Sequence, residues 1–87
     1  MVYRAVTRSR KDSEGDITAL GNPGQFWSPR SKAAVISDIE SGGYYYYVPW
    51  NDGMNTEIRV VNGATGKYLR TDHDNTERNN LDDLQDC

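Results

Sequence analysis

The chain has little of what usually anchors a small domain covalently or through a metal. It has one cysteine, Cys87, and one histidine, His73, among 87 residues. A lone cysteine excludes an internal disulfide framework and a cysteine-rich zinc site. The longest apolar run is Tyr44-Tyr45-Tyr46-Tyr47-Val48, far short of the roughly 20 residues that a membrane-spanning helix needs. The opening MVYRAVTRSRK holds no apolar h-region, so a cytoplasmic location is expected. Leu, Ile, Val and Phe together make 15 residues, or 17%, below the roughly 20% that warns of disorder. The other mark of disorder, a strong net charge, is also missing, at −3.

Aromatic residues fill the gap. Six tyrosines and two tryptophans supply roughly 150–250 Å² of burial each. One folded domain built around them is expected. A chain of this size buries only about 60–65% of its unfolded surface. That leaves little room for a deep, water-excluding active site and favours self-association. Charge is unevenly spread: residues 1–32 carry +3, residues 33–71 carry −1 and residues 72–87 carry −5. An overall basic footprint for nucleic acid is therefore absent. A local basic group remains in Arg4, Arg8, Arg10, Lys11, Arg30 and Lys32.

The pattern predicts an α+β fold, one helix packed on a small antiparallel sheet in the order β-β-α-β-β-β. Residues 2–8 and 16–21 read as strands joined by the breaker-rich 9–15. The spacing predicts a helix over 29–41. Ser28 serves as its N-cap and Pro29 as its first residue, with Val35, Ile36 and Ile39 on one face and Gly42-Gly43 as the stop. Residues 44–49, 56–62 and 67–71 read as a strand meander with turns at Asn51-Asp52-Gly53 and at residues 62–66. Residues 1–71 form the domain. Residues 72–87 form an acidic polar tail whose only docking groups are Leu81 and Leu84.

The order of several blocks resembles a known family. These are Ile17-Thr18-Ala19-Leu20-Gly21-Asn22-Pro23-Gly24, Trp27-Ser28-Pro29, Asp38-Ile39-Glu40-Ser41-Gly42, Lys67-Tyr68-Leu69-Arg70-Thr71, and a close on Asn79-Asn80-Leu81, Leu84 and Cys87. Together they resemble the small prokaryotic and phage family called domain of unknown function 3892. The resemblance spans nearly the whole chain. It implies a compact α+β module to which the tail belongs, and it implies no activity.

Catalytic chemistry finds little support in the residues. The one Cys–His pair would be Cys87 and His73, and neither lies on a predicted rigid element. No G-x-S-x-G elbow is present. Asp72-His73-Asp74 and Asp82-Asp83-Asp86 have no metal-ligand spacing, since neighbours in an extended run diverge. Asp38 and Glu40 diverge on the helix. The glycine-rich stretches match no phosphate-loop fingerprint. No catalytic residue, metal or cofactor is expected.

The tyrosine run is the most informative feature. In a strand Tyr44 and Tyr46 face one way, and Tyr45 and Tyr47 the other. A single helix covers one face, so the second needs the tail, a second copy of the chain or a ligand. Trp50 widens that surface, and Arg30 sits at the expected helix start. Arg59 and Arg70 lie on the meander. Tyrosine with arginine on a flat sheet suits stacking of bases and gripping of phosphates, and equally suits protein partners. The expected function is a non-enzymatic binding module for a nucleotide-like or phosphorylated ligand, held by Arg30, Arg59, Arg70, Tyr44, Tyr45, Tyr46, Tyr47 and Trp50. By analogy with small phage proteins, a role in host defence or its neutralisation goes with that reading. The alternative is a protein-interaction module that inhibits a partner. Nonspecific nucleic-acid binding through residues 1–32 is the weaker alternative. A homo-oligomer, most simply a dimer, is expected.

Overall fold

The computed structural model describes residues 1–64, 66–71 and 80–86. The elements are β1 (Val2–Ala5), β2 (Arg8–Lys11), β3 (Ile17–Gly21), β4 (Arg30–Ser31), α1 (Lys32–Ser41), β5 (Tyr44–Pro49), β6 (Asn55–Glu57), β7 (Arg59–Gly63) and β8 (Gly66–Arg70), followed by a 3-10 turn at Asn80–Asp83. The fold is α+β with one α-helix among the described residues. Four strands precede the helix and four follow it, so the expected order β-β-α-β-β-β is present in finer subdivision. The strands form three small sheets, β1-β5-β6, β2-β3-β4 and the hairpin β7-β8.

The subdivision has physical causes. The N-terminal run divides between two sheets instead of forming one strand. Val6 N–H donates to the Tyr47 carbonyl at 2.7 Å, and the next amide, Thr7 N–H, donates to Gly21 at 3.0 Å. One stretch of chain therefore leaves β5 and joins β3. As a result β1 runs parallel to β5, where a wholly antiparallel sheet was expected. Pairing of β2 with β3 extends to Lys11, three residues into the segment expected to turn. The expected strand 56–62 breaks at Ile58, whose amide donates to the Tyr46 carbonyl at 2.9 Å while its side chain enters the core. This break separates β6 from β7.

The helix starts three residues later than its sequence signal. Ser28 does not cap it, because the Ser28 hydroxyl accepts from the Asn22 amide at 2.8 Å and closes the loop after β3. Arg30 and Ser31 then pair with Leu20 and Ala19. Ser31 is the actual N-cap, accepting from Ala34 N–H at 3.2 Å. Gly42 ends the helix in the left-handed conformation, φ 81°, with its amide on the Ile39 carbonyl, a conformation that a Cβ would disfavour. The helix packs against β3, β4, β5, β7 and β8, so its apolar stripe joins all three sheets. Val6, Leu20, Trp27, Val35, Tyr46, Val48, Ile58, Leu69 and Leu81 form the core.

The C-terminal segment is part of that core. Leu81 is fully buried, and Leu84 packs against the cluster. The Ser9 hydroxyl donates to the Leu81 carbonyl at 2.7 Å, and Lys11 Nζ donates to the Leu84 carbonyl at 2.9 Å. Ser9 N–H donates to the Gln85 carbonyl at 2.9 Å, which sets Gln85 alongside Arg8 as a parallel bridge. Asn80, also buried, donates its amide to the Thr71 carbonyl at 3.0 Å. Leu81→Ala should therefore lower unfolding stability by about 2–5 kcal/mol, and Leu84→Ala by less, measured by urea denaturation. A Leu81→Ala protein as stable as the parent would refute this docking.

Candidate functional site

Two polar constellations stand out. The first lies between the helix and the strands beneath it. Asp38 of α1 accepts two hydrogen bonds from Arg30, Nε to Oδ2 at 2.6 Å and Nη2 to Oδ1 at 2.9 Å. The Tyr46 hydroxyl donates to Asp38 Oδ2 at 2.5 Å and accepts from Arg4 Nη1 at 2.8 Å. Arg4 Nη1 is 3.6 Å from Asp38 Oδ2. The Arg4 guanidinium lies 4.7 Å from the Tyr44 ring centre and 5.4 Å from that of Trp27, a cation–π setting. Its Nε is buried without a hydrogen-bond partner among the described residues.

The electrostatics follow from this geometry. Burial raises the Asp38 carboxyl, but hydrogen bonds from Arg30 and Tyr46, with the charges of Arg30 and Arg4, outweigh it and hold the group below its ordinary value. Burial pushes the Tyr46 hydroxyl up, and its bond to Asp38 pushes it further. The bond to Asp38 also raises Arg30. Arg30 is thus committed to an internal carboxylate. Its geometry is that of a structural clasp, with Nε and Nη2 both engaged by the carboxylate.

The other sequence-predicted residues divide between locations. Tyr44 and Tyr46 stack at 6.5 Å on the helix side of β5, and Tyr46 meets Trp27 edge-on at 5.9 Å. Tyr45 and Tyr47 lie on the opposite face, 6.1 Å apart, with Tyr3 5.3 Å from Tyr45. Arg59 and Arg70 face each other across the β7–β8 hairpin, on a different sheet from the tyrosines and from Arg30. Each of the two has an interaction within the chain. The three expected arginines therefore sit on three strands of two sheets, Arg30 on β4 and Arg59 and Arg70 together on the β7–β8 hairpin. His73 lies outside the described residues, as does Cys87.

The second constellation is a cleft of about 580 Å³ between the β1–β2 crossover, the turn after β5 and the C-terminal segment. Val6, Val48, Pro49, Trp50 and Leu84 supply its apolar wall. Arg8 enters it half-buried, and its guanidinium has no hydrogen bond or ion pair among the described residues. The exposed side-chain amides of Asn51 and Gln85 line the same space. Asp83 is the one acid in the lining. It accepts from Asn80 Nδ2 at 3.1 Å.

Trp50 is held in position from behind. Its indole N–H donates to Thr56 Oγ1 at 2.7 Å, Thr56 and Thr71 share a hydroxyl contact at 2.8 Å, and Thr71 donates to the Glu57 carbonyl at 2.9 Å. Thr71 is fully buried. The half-buried Trp50 ring, fixed in orientation through its indole N–H, lies in the same lining as the Arg8 guanidinium. Of the sequence-predicted residues, Trp50 lines this cleft. Arg8, Asn51 and Gln85 were missed as site residues. The available signal was the alternation Arg8-Ser9-Arg10, which puts the two arginines on the face opposite a serine that is now seen to be buried. Among the described residues no three His, Cys, Asp or Glu side chains group closely enough to hold a metal ion, and no helix is long and apolar enough to cross a membrane.

The Asp38 clasp yields a pH-dependent prediction. Because the folded pKa lies below the ordinary 3.8, the contribution of Asp38 to stability is complete above that value. It is lost as pH falls further, through the folded pKa. The raised Tyr46 behaves oppositely. Its contribution is complete below the ordinary 10.0 and is lost as pH rises through the folded value. Asp38→Asn should lower stability at neutral pH by about 3–5 kcal/mol and flatten the acid limb of the stability profile. Urea midpoints measured from pH 2 to pH 7 that coincide for variant and parent would overturn this assignment.

The model of the family described as "Protein of unknown function (DUF3892)" matches residues 4–85. No curated protein and no solved structure matches the chain. The match runs from the second half of β1 into the docked C-terminal segment and includes Asp38, Thr71, Asn80 and Leu81, so the chain belongs to the DUF3892 family.

Proposed function

We propose that the protein is a non-enzymatic binding module for a small nucleotide-like ligand seated in the cleft beside Trp50. The observation that carries this reading is the half-buried Arg8 guanidinium, without a hydrogen bond or ion pair among the described residues, in a cleft with an apolar wall. Partial burial of an unpaired cation costs free energy that an anionic ligand would recover. Trp50 offers a stacking surface for a base. Asn51 and Gln85 each offer a carbonyl and an amide for its hydrogen-bonding edge. This reading keeps the ligand class expected from the sequence but moves its anion from Arg30, Arg59 and Arg70 to Arg8.

Calorimetric titration with AMP, GMP, CMP and UMP tests it. At least one should bind, and Arg8→Ala should weaken that binding by about ten- to a hundredfold. Trp50→Ala should weaken it too, while Arg59→Ala should leave it unchanged. No binding by any of the four, or an Arg8→Ala protein that binds like the parent, would reject the reading.

A second reading rests on a separate observation. Tyr3 is 67% exposed and leans on Tyr45, which neighbours Tyr47, on the face of β5 opposite the helix. A second copy of the chain, or another protein, would bury this aromatic ladder, since tyrosine is enriched in interface hot spots. Light scattering at high micromolar concentration should then give a dimer mass that Tyr3→Ser returns to monomer. A monomer mass for the parent removes the self-association.

A further inference from the structure

We infer that the cleft continues into a second anion subsite, so that the preferred ligand carries two phosphates separated by a nucleoside, as in a 5′-phosphorylated dinucleotide. This rests on the reading of the Arg8 cleft given above. A second cavity of about 280 Å³ adjoins the first, lined by Arg8, Arg10, Pro23, Gly24, Ser28 and Pro29. Arg8 and Pro23 belong to both walls, so the two spaces meet at that pair.

The second space arises from the register of β2. Arg8 stands opposite Gly21 and Arg10 opposite Ala19. Both partners are small, and the arginine stems lie over a face that no bulky side chain of β3 fills at those positions. The loop from Asn22 to Ser28 closes the other side, fixed by the Ser28 hydroxyl on the Asn22 amide and by Asn22 Nδ2 on the Ala5 carbonyl at 3.0 Å. Ser9, between the arginines, points the opposite way to the Leu81 carbonyl. Arg8 and Arg10 are therefore two cations on one face of one strand.

Their spacing selects the ligand. Two residues along a strand advance about 6–7 Å. The phosphorus atoms of a pyrophosphate are joined through a single oxygen and fit one guanidinium fork better than two separated ones. Phosphates on either side of a ribose are farther apart and match two such forks. Like Arg8, Arg10 has no side-chain hydrogen bond or ion pair among the described residues. The acids of the neighbourhood do not occupy either arginine: Asp83 accepts from Asn80, and Asp86 lies 3.6 Å from Lys11 Nζ.

The test compares AMP, pApA and a ten-nucleotide adenylate strand by calorimetry against the parent, Arg8→Ala and Arg10→Gln, with the corresponding guanylates, cytidylates and uridylates run alongside. For the base that binds best, the dinucleotide should bind at least tenfold more tightly than the mononucleotide. Arg10→Gln should erase that gain while leaving mononucleotide affinity within about twofold, and Arg8→Ala should weaken both. Mononucleotide binding with no gain for the dinucleotide overturns the second subsite and leaves the first standing. A gain that survives Arg10→Gln overturns it as well. Absence of all binding removes both subsites, and a ten-nucleotide strand that binds more tightly than pNpN overturns the assignment to a small ligand.

Discussion

The structure depends on one buried carboxylate. Asp38 receives Arg30 from β4 and Tyr46 from β5, with Arg4 from β1 bound through the Tyr46 hydroxyl. Those residues belong to two different sheets, and the helix that bears Asp38 packs on both. Apolar contact alone is non-directional and would leave the sheets free to slide beneath so short a helix. A bidentate guanidinium–carboxylate pair has a fixed geometry, and the tyrosine hydroxyl adds a third direction. Desolvating these charges is expensive, and only their mutual satisfaction makes the arrangement tolerable. The clasp therefore fixes the relative placement of the sheets more than it adds to net stability.

A second constraint comes from the chain's scarcity of aliphatic residues. The tail supplies two of the four leucines, and one of these, Leu81, is fully buried. The core is incomplete without it. The same segment forms a wall of the cleft through Leu84 and Gln85. Docking also buries the Thr71–Asn80 junction, and Thr71 carries the hydroxyl relay that orients Trp50. Closing the core and shaping the cleft are thus one event, and the residues of the Lys67–Thr71 and Asn80–Leu84 blocks take part in both.

Local chemistry was legible in the sequence and long-range pairing was not. The helix, its glycine stop and the opposite faces of Tyr44/Tyr46 and Tyr45/Tyr47 follow from spacing within a few residues. The helix start was misread because Ser28-Pro29 and Ser31 offer rival caps. The choice fell to Ser31 through the pairing of Arg30 and Ser31 with β3, contacts across ten and twelve residues that no local signal reports. The division of residues 2–11 between two sheets was hidden for the same reason. In the site, Trp50 was readable as an aromatic beside a turn. Arg8 was readable only as a member of a basic group, because nothing in one strand tells which of its cations will meet an acid.

That partition of the cations decides which guanidinium groups stay outside the internal ion pairs. Arg4 and Arg30 converge on Asp38, and the Lys11 ammonium contacts Ser9 and the Leu84 carbonyl. Arg8 and Arg10 share the face of β2 turned away from Ser9, so they cannot join these internal partners without reversing the strand. Reversal would expose Ser9 to the wrong side and break its bond to Leu81. The positive charge at the cleft is therefore a consequence of the tail's docking. The strand that binds the tail through its odd-numbered residues presents its even-numbered arginines on the other face.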